Sequence, residues 1–136
     1  MLGQALHDTG AASLIGGALH SSLGGAPAPV VVLVAVLVTV LLTNFMSNTA
    51  TAGIMVPIAI ELSAAMGMEP VPMVLAVGMA ASIAFITPVG TPSTAIVFST
   101  GRLGRGDLFK AGLLVALLTA LVIALYPVFV PPWGGP

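Results

Sequence analysis

Long apolar runs alternate with two short polar knots along this chain. Residues 30–46 form a Val/Leu-rich run, and no charged residue occurs from Ser21 to Ile60. Its β-branched content would suit a strand in water, but its length predicts a helix in lipid. A polar stretch interrupts it, Thr43-Asn44-Phe45-Met46-Ser47-Asn48-Thr49-Ala50-Thr51, and a second apolar helix is predicted over 51–66. A Gly/Pro turn at 67–72 leads into a helix predicted over 73–86. There Ala76, Ala80 and Ala84 recur at four-residue spacing, a small-residue stripe that lets another helix approach closely. The second knot, Thr87-Pro88-Val89-Gly90-Thr91-Pro92-Ser93-Thr94, stops this helix, since Pro88 and Pro92 cannot continue the hydrogen-bond ladder. A short helix resumes over 93–100. Residues 101–110 form a charged loop, and 111–130 are long enough for a full span of about 30 Å. Tyr126, Phe129 and Trp133 lie near the end of that span, where an aromatic belt belongs. Upstream, Asp8-Thr9-Gly10 breaks a mixed segment, residues 11–23 are expected as a short interfacial helix, and 24–29 are a Gly/Pro linker.

Composition moves this pattern out of water. The chain is 58% apolar and 5% charged, whereas charged residues make up about a quarter of a soluble domain. Gly and Pro are plentiful, as in membrane helices that bend or stop within the bilayer. Without cysteine there is no disulfide, thiol chemistry or cysteine zinc site, and the redox compartment stays open. A net charge of −1 offers no basic surface, so nucleic acid is not an expected partner. Met1-Leu2-Gly3-Gln4 has no basic n-region and reads like the middle of an apolar helix, so a truncated chain is expected.

All three basic residues, Arg102, Arg105 and Lys110, fall in the 101–110 loop. The positive-inside rule therefore puts that loop in the cytoplasm and the C-terminus outside. The 67–72 turn and the 24–29 linker then lie outside as well, whether residues 30–66 cross twice or dip in and return. The tip sequence Ser47-Asn48-Thr49 lacks the Gly, Pro or Lys of an ordinary cytoplasmic turn. A re-entrant hairpin with its tip near the midplane is the reading adopted.

The two knots explain what such an arrangement can do. A helix ending inside the membrane leaves carbonyls unpartnered, and one starting there leaves N–H groups unpartnered. The first kind of end carries roughly half a negative charge and the second roughly half a positive one. Carbonyl ends near Met46 and Ile86 suit a hard cation such as Na⁺, and N–H ends near Thr49 and Thr91 suit an anion. Thr91-Pro92 is a good helix start, with Thr as cap and Pro at the first helical position. No Arg or Lys lies at depth, so an anion must be held by helix ends, hydroxyls, Asn48 and co-bound cations. Binding coupled to sodium follows.

The string LLTNFMSNTATAGIMVPIAIELS, followed by ASIAFITPVGTPSTAIVFSTG, resembles the C-terminal half of divalent anion–sodium symporters. That family carries dicarboxylates, citrate or sulfate, and its members are built from two inverted repeats, each with a Ser-Asn-Thr hairpin and a broken helix. The resemblance implies an all-α polytopic membrane protein. Residues 1–29 are a partial scaffold and linker, 30–67 a re-entrant hairpin with its tip at 47–49, and 72–101 a broken helix with its loop at 87–92. Residues 107–131 are the last transmembrane helix. The resemblance further implies substrate contacts from Ser47, Asn48, Thr49, Thr91 and Pro92. It implies a sodium site drawn from Thr43, Met46, Asn48 and Gly90, mostly through backbone carbonyls. Na⁺ is the coupling ion, with no other metal or cofactor. The implied partners are a small divalent anion, the lipid bilayer of the plasma membrane, a second copy in a homodimer, and the first repeat, which these residues lack. One departure stands out: the family commonly shows Thr-Pro-Pro-Asn-Ala, and this chain has Thr91-Pro92-Ser93-Thr94-Ala95.

Plainer roles compete for the same residues. Ser47-Asn48-Thr49 could be a polar turn between ordinary spans, and 87–92 a proline kink that serves packing. Glu61 invites a proton-relay role, yet it lies 12 residues past Thr49, about 18 Å along a helix. That reaches the outer interface, where it is expected to be solvated. His7 and His20 lack a partner at ligand spacing, and the Met residues suit packing. Three other functions remain. An arsenite or Na⁺/H⁺ antiporter needs a titratable or metalloid-binding group at depth, and an intramembrane enzyme needs paired acids, a Ser–His pair or metal ligands. A non-transporting membrane subunit would need a partner protein to assemble with.

Overall fold

A computed structural model describes residues 8–10, 14–15, 17–18, 21–22, 25–87, 91–101 and 104–129, the last three of them and Arg105 by backbone only. Its helices, in chain order, are α1 (Ala28–Thr43), α2 (Asn48–Ala65), α3 (Pro70–Ala80), α4 (Pro92–Ser99) and α5 (Arg105–Phe129). Most of the expected 11–23 helix, Pro88 to Gly90, Arg102 and Trp133 lie outside the described residues, as does the side chain of Phe129.

Prolines and caps set the helix starts earlier than the apolar pattern predicts. Pro27 caps α1 and Pro29 sits in its first turn, where a missing N–H costs nothing. Ser47 caps α2, its hydroxyl accepting from the Ala50 N–H at 3.2 Å, so α2 begins at Asn48 rather than at 51. The helix continues through Pro57 and closes on Gly67, whose φ of +64° is a left-handed conformation. There the Met68 N–H bonds Ser63 O and the Gly67 N–H bonds Ala64 O, a Schellman ending. Pro70 starts α3 three residues before the predicted 73.

The charged 101–110 segment also differs from expectation. Residues from Arg105 onward are already helical, and Gly101 and Gly104 lie outside the helices. Asp107 lies in the first turn of α5, and its carboxylate accepts the Gly104 N–H at 3.3 Å. A negative charge reaching back to a free N–H at a helix start is favourable on both hydrogen-bond and dipole grounds.

Helix α3 sits at the centre, packed against α1, α2 and α5. Val31, Val36 and Val40 of α1, Ile58 and Leu62 of α2, and Met73 and Val77 of α3 form the core. Ala76 and Ala80 are buried on α3, while Ala84, also buried, lies beyond its end, so the expected stripe keeps only its first two members. A second stripe escaped the sequence reading: Gly112, Ala116, Ala120 and Ala124 recur every fourth residue along the buried side of α5. Gly112 makes the closest approach. A Cβ built there would lie 2.1 Å from Phe85 O and 2.7 Å from its carbonyl carbon, so only glycine fits. The opposite side of α5 exposes Leu114, Leu118, Leu121 and Val122. Its stretch Gly106–Tyr126 is long and apolar enough to cross a membrane, while α1 and α3 are shorter apolar helices. The fold is all-α.

Candidate functional site

The two polar knots meet, and Asn44 joins them. This residue is 5% exposed at the C-cap of α1. A buried amide costs several kcal/mol unless its donors and acceptor find partners. Its Nδ2 donates to Val40 O at 2.7 Å and to Ile83 O at 3.4 Å. Its Oδ1 accepts the Ile86 N–H at 3.0 Å, and its own carbonyl accepts the Thr87 hydroxyl at 3.2 Å. The backbone N–H of Ile86 can only donate, which fixes the orientation of the amide.

These bonds explain why α3 ends at Ala80 and not at 86. Pro88 disfavours helix at Thr87 but cannot unwind residues six positions earlier. Over 81–86 the chain leaves the helix, and Asn44 supplies partners for Ile83 and Ile86 that the helix would otherwise have provided. The expected carbonyl ends near Met46 and Ile86 therefore move to Thr43 and Ala80. Sequence reasoning gave Asn44 no role. The available signal was its amide, whose bonding capacity must be met wherever lipid and apolar side chains surround it.

Beside this joint, three oxygens converge. The Thr43 hydroxyl is completely buried and donates toward Asn48 Oδ1 at 2.9 Å and toward the Ala81 carbonyl at 2.5 Å. A hydroxyl has one proton, so it satisfies one of those oxygens at a time. The other contact is met if the Asn48 amide turns to present its NH₂. The donor set is hard oxygen throughout, which suits an alkali or alkaline-earth ion rather than a transition metal. Among the described residues no group of three or more His, Asp or Glu could hold a metal ion.

The remaining predicted residues divide by exposure. Ser47 and Thr49 are exposed at the start of α2, and Asn48 between them is half-buried. Met46 is exposed, and Gly90 lies outside the described residues. Thr91 caps α4 with Pro92 at the first helical position, as the dipeptide predicts. Thr94, which stands where the family commonly has Asn, completes a capping box with Thr91. The Thr94 N–H donates to Thr91 Oγ1 at 3.2 Å and the Thr91 N–H to Thr94 Oγ1 at 3.1 Å. The Thr94 hydroxyl also donates to Thr91 O at 2.8 Å. The departure thus closes the helix start on itself.

Residues 1–133 match the family profile described as citrate transporter. Among curated relatives, an uncharacterized transporter of Methanocaldococcus jannaschii is 40% identical over 93% of this chain and 29% of its own length. The sodium-dependent dicarboxylate transporter SdcS of Staphylococcus saprophyticus is 38% identical over 98% of this chain and 26% of its own. An uncharacterized transporter of Haemophilus influenzae is 35% identical, covering 90% and 27% respectively. The chain spans between a quarter and a third of the length of these relatives.

Proposed function

The chain belongs to the citrate transporter family of divalent anion–sodium symporters, and from that premise we propose that it supplies the C-terminal half of the transport domain of a sodium-coupled anion carrier in the plasma membrane. In this reading α1 and α2 are the re-entrant hairpin, α3 and α4 the two parts of a broken helix, and α5 the last span. The carrier is multi-pass, with the 101–110 segment cytoplasmic and the C-terminus outside. It works with a first repeat of the same kind, as a homodimer.

The observation that carries this reading is the Thr43, Asn48 and Ala81 oxygen cluster, which has one hydroxyl proton among its contacts and no formal charge. Sodium sits there, with backbone carbonyls of Met46 and Gly90 completing its shell. The ion cancels the partial negative charge of the α1 and α3 carbonyl ends. The anion then binds over Ser47, Asn48 and Thr49 and at the α4 start, Thr91 and Pro92, where the helix dipole favours negative charge. Without the cation those carbonyl ends repel a dianion, so sodium binds first. The dicarboxylate name of the staphylococcal relative and the citrate name of the family profile both favour a carboxylate anion over sulfate.

Asn48→Ala tests the assignment in the carrier that contains this segment. Uptake of labelled succinate into proteoliposomes is measured against sodium concentration. The variant should need about tenfold more sodium for half-maximal uptake, the equivalent of about 1.4 kcal/mol. Unchanged sodium activation with transport intact would refute the role of Asn48.

A further inference from the structure

Of the four buried hydroxyls of α1 and α2, three are hydrogen-bonded and one is not. Thr39 Oγ1 donates to Ala35 O and Ser63 Oγ to Ala59 O, each at 2.7 Å, the usual bond from a helical hydroxyl to the carbonyl four residues back. Thr43 is engaged across the joint. Thr51 is fully buried, and its Oγ1 is the one buried side-chain polar atom among the described residues with no hydrogen-bond partner. Such an orphan costs free energy, and it is worth keeping only where something else meets it.

Its place in the fold says what that is. Thr51 lies three residues after Asn48 on α2, so the two side chains are neighbours on one face, a single helical turn apart. Asn48 Oδ1 is the α2 oxygen that reaches Thr43. Thr51 is therefore the next oxygen along the face that carries the cluster, in the first turn of a helix whose cap is Ser47. We propose that Thr51 Oγ1 is a further ligand of the cation held by Thr43, Asn48 and Ala81. This rests on the sodium-coupled reading above and adds a residue to it. An apolar side chain at this position would fill the same space with no oxygen to offer.

Thr51→Val keeps the shape and removes the hydroxyl, while Thr51→Ser keeps the hydroxyl. Both are made in the purified carrier containing this segment, and the thermal midpoint is followed as sodium chloride replaces choline chloride at constant ionic strength. Thr51→Val should leave the sodium-free midpoint unchanged or raised, because an unpaired buried oxygen has been removed. It should also shift the sodium concentration for half-maximal stabilisation upward about tenfold. Thr51→Ser should stay within about twofold of the parent. A Thr51→Val protein with the parent's half-saturating sodium overturns the assignment and leaves the sodium site standing. A parent protein indifferent to sodium overturns the sodium-coupled reading itself. If Thr51→Val does not fold, Thr51→Ala takes its place in the same titration. Failure of both would mean that the hydroxyl holds the fold without any cation, which also overturns the assignment.

Discussion

Replacing Gly112 with alanine should be strongly destabilising, because no side chain fits there. The new Cβ would lie 2.1 Å from Phe85 O, 2.7 Å from the Phe85 carbonyl carbon and 3.0 Å from Ile86 Cα. All three are backbone atoms, so no rotamer change relieves the clash. Ordinary contact distances require α5 and the 85–86 stretch to separate by roughly 1 Å or more, and overpacking of this kind costs about 1–3 kcal/mol. The displacement also falls on the Ile86 N–H, which Asn44 Oδ1 holds at 3.0 Å. Pulling that pair apart leaves a buried donor and acceptor unsatisfied, at about 1–3 kcal/mol. The combined loss is roughly 2–6 kcal/mol. Thermal unfolding of the purified carrier, with Leu114→Ala as a control on the exposed side of the same helix, would measure it. A Gly112→Ala midpoint no lower than that of the control would show that the close approach does not exist and would refute the packing of α5 on the break.

Further outcomes follow from the same joint. Asn44→Ala strips partners from Ile83 O, Ile86 N and Val40 O. It should lower stability by about 2–4 kcal/mol and weaken sodium-induced stabilisation, both read from thermal unfolding with and without sodium. Thr94→Asn restores the family's common residue and breaks the three bonds made by the Thr94 hydroxyl. It should change the relative inhibition of uptake by succinate, citrate and sulfate by a few-fold while leaving half-saturating sodium unchanged, as competition assays would register.

The helices and the α4 cap were legible because they depend on neighbours in sequence. Thr91-Pro92 acts within one turn of itself, and the structure places Thr91 as a cap, whereas the Ser47 cap was not read and α2 starts three residues early. The apolar runs marked α1, α2, α3 and α5, with the starts of α1 and α3 shifted by prolines that fit a first turn. The end of α3 was not legible, because it depends on Asn44, which lies 42 residues before the Ile86 N–H that it holds. No local pattern distinguishes a helix that stops at Ala80 from one that runs to Pro88. The α5 stripe went unread for a similar reason: Gly112 is one of 16 glycines, and only the position of Phe85 gives it meaning. Of the predicted site, Thr43 and Asn48 come together, and neither Met46 nor Thr49 is buried with them.

That division bears on how a site without charged side chains can work. A Lys or Arg would hold an anion through a long-range field and tolerate loose positioning. Helix ends act over about one turn, so their positions must be held to within a fraction of an ångström. The bonds from Asn44 to Ile83, Ile86 and Thr87 provide that fixity, and the glycine contact of α5 sets the stretch from the other side. Asn44 and Thr43 are adjacent in sequence, so a cation that draws in the Thr43 hydroxyl pulls on the residue that holds the second knot. Coupling between Thr43 and the 83–87 stretch then needs no long pathway: it passes through one peptide unit and one amide. Separating the two knots, by Asn44→Ala, should therefore uncouple anion affinity from sodium even where both still bind.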